Sequence, residues 1–235
     1  MAVVLDVAMA ADVFTSTVST KTIAAGSTLN IGSSANRAVV FAICTGDSTA
    51  VRTVTAVTWD SGTSNQAATL IPNAAASITF GGGDNERVEL WGLVNPKSGN
   101  LALKVDLSGT ANDLYISAVA FTGVDQTGGA TSFPHGTSIS NTATVTPTIT
   151  VTSATNNEIV ALFVIDVTAI ASIDATQLYI DNSGTNSGSA ACYTAGAATV
   201  TRTMAPTNRY LAVGTDIAAV SAGDTLGGAM QCFMM

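Results

Sequence analysis

The sequence predicts an all-β chain, an antiparallel two-sheet β-sandwich that is jelly-roll-like. Three observations carry this expectation. Apolar and polar residues alternate over many short segments, as in Leu101, Leu103, Val105 and Leu107 against Ala102, Lys104 and Asp106. Gly, Pro, Asn and Ser punctuate these segments at short intervals. No stretch longer than about ten residues keeps a helical period. The chain has 235 residues, 47% of them apolar, so a sizeable core is available, and all-β domains often reach roughly 200–250 residues as one unit. An N-terminal arm or edge strand is expected over residues 1–26, and a single sandwich over 27–235 with a crossover at about 127–137.

Taken in order, Ala8 to Ala11 suggests one helical turn and Thr15 to Thr20 an edge strand. Thr28 to Ile31 is a short strand, Gly32 to Asn36 a turn, and Arg37 to Cys44 a continuously apolar strand suited to a central position. After the turn at Gly46-Asp47-Ser48, a strand runs from Thr53 to Trp59 and stops at Asp60-Ser61-Gly62. Ala67 to Ile71 forms a strand that ends before Pro72, and Gly81-Gly82-Gly83 a tightly bent connection. Val88, Leu90 and Gly92, broken by Asn95-Pro96-Lys97-Ser98-Gly99 and resumed at Leu101, read as a β-hairpin. Pro96 has no N–H for a ladder and Gly99 tolerates positive φ, so both belong to its turn. Asp113 to Phe121 supplies a third antiparallel strand.

Thr127 to Gly136 is a long crossover, after which the pattern repeats. Pro147 to Ile165 has the layout of Ser27 to Ile43: short alternating strand, small-residue turn with Asn, buried apolar strand. Thr55 to Asp60 likewise matches Ala175 to Asp181, an echo expected inside one sandwich. Final strands are expected at Ala197 to Met204, Arg209 to Val213 and Thr225 to Met234. Short edge strands, long buried strands and a long crossover favour a jelly roll over an immunoglobulin-type sandwich.

Glu89-Leu90-Trp91 with Leu93, Asn95-Pro96 and Ser98-Gly99, followed by Ala118-Val119-Ala120-Phe121-Thr122-Gly123-Val124-Asp125-Gln126, resembles a jelly-roll-like module of phage structural and bacterial extracellular β-sandwich proteins. The likeness extends from about Ser27 to Ile165. It implies a fold and no activity, because its motifs mark turns and core positions.

Charged residues make up only 10% of the chain, and Thr, Ser, Ala, Asn and Gly replace them. Eight basic residues face 16 acidic ones, for a net charge of −8 without any basic run, so nucleic acid is not an expected partner. No apolar run approaches the roughly 20 residues of a membrane-spanning helix, and no membrane partner is expected. The N-terminus lacks a basic segment, and Asp6 and Asp12 interrupt its apolar residues, which argues against a secretory leader. Cys44, Cys192 and Cys232 are odd in number and show no Cys-x-x-Cys spacing, so a disulfide framework, zinc site or redox motif is not indicated. Cys44 lies in an apolar strand and reads as an inert buried thiol.

His135 is the single histidine, and it lies in the Gly/Pro-rich crossover without a Gly-x-Ser-x-Gly companion. Asp84, Glu86 and Glu89 form the densest acidic group, but Glu86 and Glu89 differ in strand parity and read as a solvated loop and strand edge. Gly83-Asp84-Asn85-Glu86 and Asp181 to Asn186 offer oxygen ligands for calcium, yet neither is a complete calcium loop. Trp59, Trp91 and Phe121 suit a core or a carbohydrate platform equally. The expectation is therefore no catalytic residue, no cofactor and no metal site, and a non-enzymatic protein.

The function expected on these grounds is a virion structural subunit that decorates or cements a phage capsid. It would assemble in the host cytoplasm, bridge major capsid or other virion proteins, and itself form a dimer or trimer. The alternative is an extracellular glycan-binding or adhesion module.

Overall fold

The computed structural model describes residues 1–14, 17–166, 169–182, 187–205 and 207–221. In chain order the first half contains β1 (Val4–Phe14), β2 (Val18–Ile23), β3 (Asn30–Ile31), β4 (Ala38–Asp47), β5 (Val54–Trp59), β6 (Gln66–Ala67), β7 (Thr69–Thr79), β8 (Asn85–Val94), β9 (Gly99–Asn100), β10 (Leu103–Ala111) and β11 (Asp113–Thr122). A single helical turn, α1 (Gly129–Ser132), lies in the crossover. The second half contains β12 (Thr137–Val145), β13 (Thr148–Thr152), β14 (Glu158–Asp166), β15 (Ser172–Ile173), β16 (Thr176–Asp181), β17 (Ser187–Ala195), β18 (Thr199–Ala205) and β19 (Asn208–Ile217).

The antiparallel sandwich architecture is as expected, and the halves repeat it. The first large sheet has the order β1-β11-β4-β8-β7, and a smaller sheet β2-β10-β5-β6 covers one face of it. The second large sheet has the order β12-β19-β14-β17-β16, with β13-β18-β15 over it. Position by position the two lists match. In both halves the chain crosses repeatedly between large and small sheet, except at the hairpins β7–β8 and β16–β17, which stay within the large sheet, a jelly-roll-like path. The short pair β3 and β9 continues the pairing of β2 with β10, so residues between Ile23 and Asn30 are an excursion from one interrupted strand.

Three cores separate four layers. Val39, Phe41 and Ile43 on β4 meet Val57, Trp59 and Val105 of the first small sheet. Ile159, Ala161 and Phe163 on β14 meet Ile149 and Val151 of the second. The alternate residues Val40, Ala42 and Cys44 face Val160, Leu162, Val164, Leu211 and Val213, so the two large sheets bury a shared core between them. Strands covered on both faces need continuous apolar runs, which is why Arg37 to Cys44 and Ile159 to Ile165 show no polar alternation. β1 lies against β16 and β7 against β12, relating the halves by an approximate two-fold rotation.

This arrangement differs from a single two-layer sandwich over 27–235. Residues 1–26 supply edge strands, one of the two forms expected of them, since β1 and β2 lie at the edges of the first large and first small sheet. Ala8 to Ala11 belongs to β1 and is not helical, because pairing with β11 outweighs local alanine propensity. The expected hairpin does not form either. β8 pairs with β4 and β7, β10 pairs with β2 and β5, and β11 returns to the large sheet between β1 and β4. Asn95 (φ 48°) and Gly99 (φ 113°) do turn the chain, but the turn arches over the outer core. Arg37 clamps it by donating to the Pro96 carbonyl at 3.2 and 3.0 Å, and the Trp59 indole donates to the Lys97 carbonyl at 2.9 Å.

Pro72 does not end its strand. β7 continues through it by a register shift between Leu70 and Ala75, with Asn73 at φ 61°, and β7 is a sheet edge where a missing N–H is tolerated. In the echo, Ala175 to Asp181 occupies the sheet position of β7, whereas the equivalent of β5 is the short β15. The strand expected at Thr225 to Met234 lies outside the described residues.

The crossover fastens the halves together. Phe133 packs on Gly92 so closely that a Cβ there would stand 2.4 Å from its ring, which explains the small residue among the larger ones of β8. Val3 N–H donates to the Asn156 carbonyl at 2.7 Å, and the Met1 ammonium to the Val220 carbonyl at 3.3 Å.

Candidate functional site

His135, held at φ 49° in the crossover, brings Nδ1 to 3.5 Å from Asp216 Oδ2 at the end of β19. Asp216 is fully buried and also accepts from Ser153 Oγ (2.6 Å) and Asn157 Nδ2 (2.8 Å). Asn157 Oδ1 in turn accepts from the Ala219 N–H at 2.9 Å. Serine, histidine and aspartate thus meet, but in the wrong order for nucleophilic catalysis. A catalytic serine must give its proton to the histidine, whereas here both residues point at the aspartate. The cluster ties the crossover, the loop after β13 and the segment after β19 to one another.

Glu86 and Glu89 lie on opposite faces of β8, as their parity requires, yet neither is solvated: they are 3% and 1% exposed. Glu89 faces the outer core, where its carboxylate accepts from the Val54 N–H at 3.2 Å, the Trp91 indole at 2.8 Å and the Arg87 guanidinium. Glu86 faces the shared core. It leans over Gly46, where a side chain would meet its carboxylate at 2.9 Å, and Cys44 Sγ lies 3.8 Å from its Oε2. Two carboxylates on opposite faces of a sheet cannot flank one glycosidic bond.

One asparagine in each calcium candidate is engaged in structure. Asn85 accepts from Thr79 Oγ1 at 2.9 Å and donates to the carbonyls of Asp47 and Gly83 at 3.1 and 2.9 Å. Asn182 bonds both backbone groups of Ile170, at 2.8 and 3.2 Å. Ser183 to Asn186 lie outside the described residues. Among the described residues no three His, Cys, Asp or Glu side chains gather as metal ligands. Trp59, Trp91 and Phe121 are all buried, which assigns them to the cores and away from any exposed platform.

Polar side chains also meet between the two large sheets, an arrangement the sequence reading missed. Cys44 pairs across strands with Tyr115, and Asp181 with Ser189, while Tyr179 Oη lies 2.6 Å from Ser189 Oγ. Tyr115 Oη is buried without a hydrogen-bond partner among the described residues. Burial, and next the Glu86 carboxylate, push the Cys44 thiol well above its ordinary range. Burial first and Cys44 second push both tyrosine phenols up. These groups are held neutral, and an un-ionised thiol is a poor nucleophile. Cys192 is likewise buried, and desolvation pushes its thiol up to about 12. Cys232 lies outside the described residues. The cluster draws on five strands from both halves, and only the even parity that Glu86 shares with Val88 and Leu90 hinted at its inward orientation.

The outermost faces have a different character. On β13 and β18, Thr148 opposes Thr203, Thr150 opposes Thr201 and Thr152 opposes Thr199, with Thr150 and Thr201 Oγ1 atoms 2.9 Å apart. Thr146 and Thr207 extend the row at 3.4 Å. Strand pleating sends these alternate residues outward while Ile149 and Val151 point into the core. The result is a hydroxyl ladder, bordered by Asp174, whose carboxylate accepts from the Thr203 N–H at 2.8 Å. The opposite outer face pairs Thr22, Lys104 and Thr58 in one row and Thr20, Asp106 and Ala56 in the next, with Lys104 and Asp106 in an ion pair at 2.9 Å.

No family model matches the chain, and neither the curated proteins nor the solved structures contain a match to it.

Proposed function

We propose that this chain is a non-enzymatic structural subunit of a virion, a decoration or cement protein that bridges neighbouring shell proteins. The observation that carries the reading is the pair of hydroxyl-rich outer faces with little net charge, above all the threonine ladder of β13 and β18. Such faces suit many weak contacts repeated by symmetry, and their affinity arises from repetition more than from any single anchor. The residues best able to do chemistry support it too, because His135, Ser153, Asp216 and Glu89 are engaged with one another or with backbone. A glycan-binding module finds less support, since its aromatic candidates are in the cores. Electron microscopy of the particles made by the encoding genome, with mass spectrometry of their proteins, tests the reading. Regular density for this four-layer body on the shell is expected, and its absence from purified particles would refute the assignment.

A further inference from the structure

At one end of the shared core, three residues of adjacent strands fall in one row across the first large sheet. Glu86 near the start of β8 pairs with Gly46 near the end of β4, and Gly46 pairs with Asp113 at the start of β11. All three face inward, because the alternate residues that continue each series, Val88, Cys44 and Tyr115, belong to the shared core. The middle position has no side chain, and the Glu86 carboxylate takes its space: a Cβ on Gly46 would lie 2.9 and 3.1 Å from the two Glu86 oxygens. Neighbouring strands are about 4.8 Å apart, so this carboxylate reaches over to the side of Asp113. Two buried acids, 3% and 8% exposed, are thus neighbours across a glycine.

Tyr115 is the next inward residue after Asp113. Its side chain is fully buried, and its Oη has no hydrogen-bond partner among the described residues. Burial first, then Cys44, Asp113, Asp181 and Glu86, push this phenol up, so it looks into the acidic cluster. Asp181 closes β16, which lies against β11, and so brings a carboxylate from the second half. The arginines of the surrounding elements are committed to other acids, Arg52 to Asp47, Arg87 to Glu89 and Arg209 to Asp166. Negative charge therefore collects around a buried hydroxyl that lacks a partner, a combination that calls for a water or an ion.

We propose that Glu86 and Asp113 hold a divalent cation of the calcium class at this end of the shared core, with the Tyr115 hydroxyl as a further oxygen ligand. Two carboxylates match the charge of the ion, and carboxylate, hydroxyl and water oxygens are the hard ligands it takes. Two acids suffice, in keeping with the absence of a three-acid cluster among the described residues, and Asp181 adds its field from across the seam. Asp113 is the first residue of β11 and Glu86 the second of β8, so the ion enters at the ends of the strands. The site differs from the loops Gly83-Asp84-Asn85-Glu86 and Asp181 to Asn186, because its ligands come from separate strands. It needs only the fold and stands apart from the virion reading.

Isothermal titration calorimetry of the full chain with calcium chloride, after dialysis against a chelator, tests the proposal. One ion per chain is expected, with a higher melting temperature in millimolar calcium. Glu86→Gln and Asp113→Asn keep side-chain size and are each expected to weaken binding by about tenfold or more. Asp84→Asn removes a charge from the adjacent loop and is expected to leave binding within about twofold, since only long-range attraction changes. Far-ultraviolet circular dichroism verifies that the variants fold. Terbium, which takes the ligands of calcium, gives a readout on the parent chain alone: its emission is expected to follow tyrosine excitation and to fall when calcium is added. A parent chain that binds no calcium at millimolar concentration overturns the proposal. So does terbium bound without tyrosine-sensitised emission, calcium affinity that Glu86→Gln and Asp113→Asn leave unchanged, or an equal loss in Asp84→Asn.

Discussion

Glu89 holds the outer core of the first half together from within. Its carboxylate accepts the Val54 N–H, the Trp91 indole and the Arg87 guanidinium, so its removal leaves buried donors unpaired. Glu89→Ala is expected to lower stability by about 3–5 kcal/mol, the usual effect of breaking a buried pair, measured as a shift in urea midpoint. Glu89→Gln, which keeps one acceptor, is expected to lose less. An equal loss for both would mean that the charge, and not the acceptor geometry, dominates. At this scale parity was legible in the sequence, since Glu86 and Glu89 do face opposite ways. Burial was not, because an acidic residue in an alternating strand looks the same whether water or a second sheet covers it. Cys44 was read as buried, and it is. His135 was read as a turn residue without catalytic company, and its turn conformation and its contact with Asp216 give it a fastening role.

The turn between β4 and β5 shows what local polar chemistry does for an element. Burial by itself would raise the Asp47 carboxyl, but hydrogen bonds from the Thr49 hydroxyl and N–H and the Ala50 N–H, together with Arg52, outweigh burial and hold it below the ordinary range. A depressed carboxyl stabilises the fold where the unfolded chain's aspartate is ionised. That contribution is present above about pH 4 and is lost as pH falls through the lower folded value. Asp47→Ala is therefore expected to destabilise by about 1–3 kcal/mol at pH 7. The gap between variant and parent is expected to narrow below pH 4 in matched urea titrations; a gap independent of pH would rule out the carboxylate as its source. Most elements were legible because alternation and turn residues are local signals. Their partners were not. β8, the Asn95–Gly99 turn and β10 carry every mark of a hairpin, and the same marks fit a chain that leaves one sheet, arches over a core and joins another.

The stacking of the two halves through their large sheets makes the shared core the element on which the whole molecule depends. Both tryptophans lie in the first half and Cys192 in the second, so the two halves carry separate reporters. Leu162→Ala, on β14 but inside the shared core, is expected to cost about 2–5 kcal/mol. It is expected to shift the tryptophan fluorescence midpoint and the onset of Cys192 alkylation together. Separate transitions, with the fluorescence midpoint unmoved, would mean that each half unfolds by itself. The sequence alone determined that the chain is all-β, that its strands fall in two similar sets, that β4 and β14 are buried on both faces, and that its surface is polar with little charge. These are properties of side-chain type and period, which act within a few residues. Only the tertiary structure decided that the two sets form two jelly-roll-like sandwiches stacked as four layers, and which acids are buried. Those outcomes depend on pairing between strands far apart in sequence, and a period of two states which face a residue is on without stating what lies across from it.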